Sequence, residues 1–138
     1  MAKKSMKRWV YGPAKPTKPE VLENIKSSIE SQAQKFVDSE LKPQHIKPTP
    51  EDERWNYLVD IYVKWYRNYF YFCSKYCSPG PNAISPYFED KFARLEYVGE
   101  NLFNLSYMRH TGQWWEIYQE LTFEECLTAI RDEPHFQP

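Results

Sequence analysis

Glycine is scarce in this chain: four in 138 residues, none clustered. A phosphate-cradling loop needs several glycines in close order, so that class of nucleotide site is excluded. No apolar run approaches the roughly 18 residues of a membrane span. The N-terminus carries Lys and Arg but no apolar core segment, so no secretory signal is expected. Cysteine is sparse and odd in number: Cys73, Cys77 and Cys126. An odd count without a signal points to reduced thiols in a cytoplasmic protein. On one extended strand Cys73 and Cys77 would stand about 13 Å apart. That separation is too long for a disulfide or a shared metal ion. The three histidines, His45, His110 and His135, show no metal-ligand spacing with the cysteines. No cofactor is expected.

Aromatic residues are abundant instead. Ten of the 22 residues from Trp55 to Tyr76 are aromatic. Rings and β-branched residues favour strands, whose side chains alternate between faces. Tyr57, Val59, Ile61, Val63 and Trp65 form one apolar row at period two, and Asp60, Tyr62, Lys64 and Tyr66 point the other way. A two-residue turn at Arg67-Asn68, with Asn suited to positive φ, fixes a hairpin register. Trp65 then faces Phe70, Val63 faces Phe72 and Val59 faces Tyr76. On the reverse side Tyr66 faces Tyr69, Lys64 faces Tyr71 and Asp60 faces Lys75. A one-residue slip would scramble both faces.

The net charge of −1 conceals a split. Residues 1–19 hold six basic side chains and no acid, whereas the remainder carries 12 basic and 19 acidic ones. The first 19 residues end in alternating Pro and Lys, the pattern of an extended arm. Its Lys3, Lys4, Lys7 and Arg8 are candidate phosphate contacts. From Pro19, Leu22, Ile25, Ile29, Ala33 and Phe36 recur at helical spacing, predicting an amphipathic helix to about Glu40, before Pro43. A Pro-rich connection leads to the hairpin, and residues 78–86 make a second connection.

A meander follows. A third strand spans Phe92 to Val98, turning at Gly99-Glu100-Asn101. The fourth carries Phe103, Leu105 and Tyr107. The loop His110-Thr111-Gly112 leads to a fifth with Trp115 and Ile117. In this register Leu105 faces Ile117 and Tyr107 faces Trp115. The opposite face has Arg94, Ser106 and Glu116 in a row, beside Glu96, Asn104 and Tyr118. Thr122 and Glu125 form a capping box for a last helix bearing Phe123, Cys126, Leu127 and Ile130, which Pro134 ends. The expected fold is α+β: a five-stranded antiparallel meander sheet with an N-terminal and a C-terminal helix packed on one face. The domain spans residues 20–138, preceded by the basic arm.

The order of elements and the run KFARLEY…FNLSYMRHTGQWWEIY…DEPHFQP resemble a family of small bacterial proteins classed only as a domain of unknown function. Those proteins share an N-terminal helix, a strand meander with paired Trp and a closing helix. Here Asp132-Glu133-Pro134-His135-Phe136 departs slightly from the family's ending. The resemblance covers residues 20–138, supports the fold and implies no activity.

Two constellations bear on function. His110 beside Arg109 offers an acid–base group next to a bidentate anion binder, the minimum of an enzyme site. Water-exposed turn chemistry explains the same pair. The reverse sheet face presents Tyr62, Tyr66, Tyr71, Trp114 and Tyr118 with Lys64 and Arg94 among them. Glu96 and Glu116 share it, with Arg94 between them as an ion-pair partner. Such a ring array suits a protein partner or a second copy. With the basic arm, it also suits single-stranded nucleic acid. The preferred expectation is a non-catalytic protein-interaction module. Nucleic-acid association and an enzyme site at the His110 loop are the alternatives.

Overall fold

A computed structural model of the chain describes residues 19–52 and 54–138. The arm residues Lys3, Lys4, Lys7 and Arg8 lie outside the described residues. Helix α1 spans Glu23–Phe36 and buries Ile29 and Ala33. It starts later than expected and its path does not stop before Pro43. It continues through a wide π-type turn, Val37–Leu41, into a last turn, Lys42–His45. In the wide turn the Lys42 N–H bonds to the Val37 carbonyl, five residues back. That extra residue gives the proline ring room, and Pro43 sits at the start of the last turn, where its missing N–H costs little. The extension keeps Val37 and Leu41 fully buried.

Strand β1 (Tyr57–Tyr66) pairs antiparallel with β2 (Tyr69–Cys77). The expected partners Trp65–Phe70, Val63–Phe72, Lys64–Tyr71, Tyr66–Tyr69 and Asp60–Lys75 are all present. Arg67, rather than Asn68, takes positive φ in the turn, at 57°. The Asn68 carbonyl instead accepts the Tyr97 N–H at 3.0 Å. Val59 does not face Tyr76. A bulge makes Val59 the extra residue, so Leu58 meets Tyr76 and Tyr57 meets Cys77. One inserted residue reverses the side-chain alternation beyond it. Tyr57 therefore leaves the apolar row and joins the reverse face.

Strand β3 (Tyr87–Gly99) begins five residues before the expected Phe92. It contains a second bulge: Phe72 pairs with Ala93 but Cys73 pairs with Lys91, so Phe92 is extra, and both Phe92 and Ala93 are buried. Gly99, Glu100 and Asn101 all have positive φ and form the turn to β4 (Leu102–Met108). Gly99 also has Pro19 beside it; a Cβ there would lie 3.3 Å from the proline Cγ. In the next loop Gly112 has φ 84°, as the three-residue reading requires.

Strand β5 (Trp114–Thr122) runs directly into helix α2 (Phe123–Asp132). Tyr107 faces Trp115, but Leu105 faces Tyr118 rather than Ile117. Two irregularities in β5 cause this. Ile117 is extra, and Glu120 sits at φ 56° with its N–H donating to the Asn104 side chain at 3.0 Å.

The five strands lie in sequential order. Both helices cover the same side, where Phe123 of α2 meets the rings of Phe70 and Phe103. One core joins Ile29, Ala33 and Val37 to Ile61, Phe72, Leu95, Leu105 and Ile130. The capping box is present: the Glu125 N–H donates to Thr122, and the Thr122 N–H donates to the Glu125 carboxylate. A short turn, Pro134–Phe136, folds back to bury Phe136 against Tyr107. The fold is thus α+β, a five-stranded antiparallel sheet with its two helices on one face. Among the described residues no helix is long and apolar enough to cross a membrane.

Candidate functional face

Strand register brings the reverse face together row by row. Lys64, Tyr71, Arg94, Ser106 and Glu116 lie side by side across all five strands. Tyr66, Tyr69, Glu96 and Asn104 form the next row towards the first hairpin turn. On the other side come Tyr62, Cys73 and Lys91, then Asp60, Lys75 and Glu89, then Tyr57, Cys77 and Tyr87. Neither helix covers these rows; both pack on the other side of the sheet.

The rings are interleaved with cations. The Arg94 guanidinium carbon lies 4.8 Å from the Tyr69 ring centre and 5.1 Å from that of Trp114. Trp114 also packs on Tyr71, with ring centres 5.9 Å apart. Lys91 lies 5.7 Å from the Tyr71 ring centre, and Lys75 lies 4.6 Å from that of Tyr87. A cation held over a ring is attracted by its negative face, by about 0.5–1 kcal/mol at exposed sites. Glu89 links two strands, accepting Lys64 at 2.9 Å and Lys91 at 3.3 Å. Arg94 Nε is buried and has no hydrogen-bond partner among the described residues. Tyr66 is 57% exposed and Tyr87 48%.

Charge on this face cancels. Lys64, Lys75, Lys91 and Arg94 stand among Asp60, Glu89, Glu96 and Glu116, with Asp60 also reaching Lys42 of the helix layer at 3.3 Å around the sheet edge. Among the described residues the acidic excess therefore lies off this face. Beneath the rings Cys73 is fully buried, and that burial pushes its thiol pKa up, with Lys64 and Lys91 pulling the other way.

Of the anticipated surface residues, Tyr62, Lys64, Tyr66, Tyr71, Arg94 and Trp114 share this face. Tyr118 does not. The bulge at Ile117 turns it to the helix side, where its hydroxyl donates to the Glu133 carboxylate at 2.8 and 2.9 Å. That bond raises the phenol's pKa. Tyr57, Tyr87, Glu89 and Lys91 were not anticipated. The alternation Tyr87-Glu89-Lys91 against Phe88 and Phe92 was the available signal for the longer third strand.

Among the described residues the polar loop meets Trp115 and gathers no second polar side chain. Arg109 stacks on Trp115, 4.4 Å from its ring centre, and His110 is exposed with its neighbours Thr111 to Gln113. A cleft of about 510 Å³ beside α2 is lined by four carboxylates, three of which have a local task. Glu125 caps the helix, Glu133 holds Tyr118, and Asp132 pairs with Arg131 at 2.8 Å. A second cleft of about 440 Å³ lies between the helices over Ile25, Ile29 and Phe123. Among the described residues no three His, Cys, Asp or Glu side chains are grouped to hold a metal ion.

Residues 19–138 match the family model of a domain of unknown function, DUF3024. No curated protein and no solved structure matches the chain.

Proposed function

The chain belongs to that family, which hands down no activity, and we propose from the geometry that it is a non-catalytic protein-interaction module of the bacterial cytoplasm. The observation that carries this is the ring-rich, charge-neutral sheet face left uncovered by both helices. Tyr, Trp and Arg are the residues enriched in protein interfaces, and rigid rings lose little entropy when a partner orders them. The cations there are already offset by Glu89 and its neighbours, so the face has no excess charge to attract phosphates. Affinity capture from the source organism with the wild-type chain and with Tyr62→Asp tests the reading. Partners retained by the first and lost by the second are expected. Identical capture by both would defeat it.

Nucleic-acid association is the second reading, favoured by the six basic residues of the N-terminal arm. Its mark is binding that collapses with salt and disappears when residues 1–18 are deleted. The loop at His110 brings no second polar group to an enclosed site among the described residues, so the enzyme reading has no observation behind it.

A further inference from the structure

We propose that the occupant of this face is a second copy of the chain, packed sheet on sheet; this rests on the interface reading above. Three features select a copy over an unrelated protein.

The first is the order of the charges. Consider a two-fold axis running across the strands along the Tyr62–Cys73–Lys91 row. It leaves that row facing itself, so that Lys91 meets its own counterpart with Glu89 beside it, and it exchanges the rows on either side. Asp60 then lies opposite Lys64 of the second copy, and Glu89 lies opposite Arg94 of the second copy. By symmetry each pair occurs twice. An axis along β2 would instead set Lys64 against Arg94 and Asp60 against Glu89, like against like. Isologous contacts demand such self-complementarity, and the opposite signs of Asp60 and Lys64, and of Glu89 and Arg94, on either side of one row provide it.

The second is area. Five strands about 4.8 Å apart and roughly 25–30 Å long present about 600–700 Å² from each copy, close to the roughly 800 Å² per partner of a stable interface. Packed sheets align within about 30° of each other, so rows stay opposed across the centre.

The third is the state of the sheet edges. β1 carries the Val59 bulge, and β5 carries two irregularities with Glu120 at positive φ. Bulged edges resist pairing with another strand, leaving the face as the route to self-association.

Sedimentation equilibrium of the full chain tests the proposal. The expected mass is twice the 16.7 kDa of one chain at micromolar concentration. Asp60→Lys and Lys64→Asp should each raise the dissociation constant at least about tenfold, because each sets like charges in opposition. The double variant Asp60→Lys/Lys64→Asp should recover to within about threefold of wild type, since the pair is restored with its signs exchanged. Both side chains are substantially solvent-exposed, yet Asp60 also pairs with Lys42 at 3.3 Å and Lys64 with Glu89 at 2.9 Å, so circular dichroism with thermal melting verifies that each variant keeps its fold. A wild-type monomer at roughly 100 µM, or a double variant no better than the singles, overturns the proposal. If the monomer still captures a partner that Tyr62→Asp loses, the interface reading stands without self-association. A monomer with no such capture defeats both. A monomer that binds oligothymidylate through the rings defeats both in favour of nucleic acid.

Discussion

Trp65 Nε1 donates to the Lys26 carbonyl at 3.1 Å, tying the outermost strand to the first helix. The indole is half-buried, with its ring centre 4.9 Å from that of Phe70 and the Lys26 ammonium 5.8 Å away. Trp65→Phe keeps an apolar ring and removes the bond. It should lower unfolding free energy by about 0.5–1.5 kcal/mol, a typical net value for one hydrogen bond. Urea unfolding measures this as a shifted midpoint with an unchanged slope. An unmoved midpoint would show that packing alone holds α1 in place.

Thr122 is both the last residue of β5 and the cap of α2, so strand and helix join without a linker. Thr122→Ala should cost about 1 kcal/mol, the usual loss when a capping hydroxyl is deleted. Hydrogen exchange locates the effect. The Glu125 amide should lose protection while the centre of the sheet keeps it. Equal loss everywhere would mean that the cap contributes only to global stability.

The three thiols should separate cleanly by reactivity. Burial pushes the Cys126 thiol up to about 12 and raises that of Cys73. Thiolate is the reactive form, so both should resist alkylation in the native state. Cys77, only half-buried, should react first. Alkylation followed by peptide mass mapping reads the order directly. Early labelling of Cys73 would mean that the reverse face opens.

His45 makes stability fall on mild acidification. Burial, with Lys47 nearby, lowers its pKa from the ordinary 6.5. Between the folded and unfolded pKa values the unfolded chain binds more protons, so stability rises with pH across that window. It is fully present above the ordinary value, lost as pH falls through it, and level again below the folded pKa. Denaturation midpoints from about pH 7 to about pH 5 should therefore decline, and His45→Gln should flatten the decline. An equal slope in the variant would assign the effect to other groups.

The sequence carried much of this architecture in local chemistry. Lys64 opposite Tyr71 and Asp60 opposite Lys75 followed from turn length alone, and the Thr122–Glu125 box from residue types at fixed spacing. The bulges at Val59, Phe92 and Ile117 escaped because a bulge inserts one residue without needing a distinctive one. Each reverses the alternation locally, which is why Tyr57 joined the reverse face and Tyr118 left it. Glu120 adopts positive φ without being glycine, so composition gave no warning there either. Pro43 is the opposite case: a strong local stop signal was overridden because the wide turn at Val37–Leu41 lets the proline open one further turn. The candidate face was legible where strands were regular, in Tyr62, Lys64, Tyr71 and Arg94, and illegible along the first five residues of β3.

The cancellation of charge across the sheet face has a practical corollary for handling this protein. Screening ions remove attraction and repulsion there together, while excluded salts such as sulfate favour the burial of apolar rings. Contacts made by the six-fold cationic arm weaken in the same gradient. Associations through the face should survive to the high-salt end of an elution, and those through the arm only at the low-salt end. A single salt titration thus separates two surfaces that a binding assay at one ionic strength would merge.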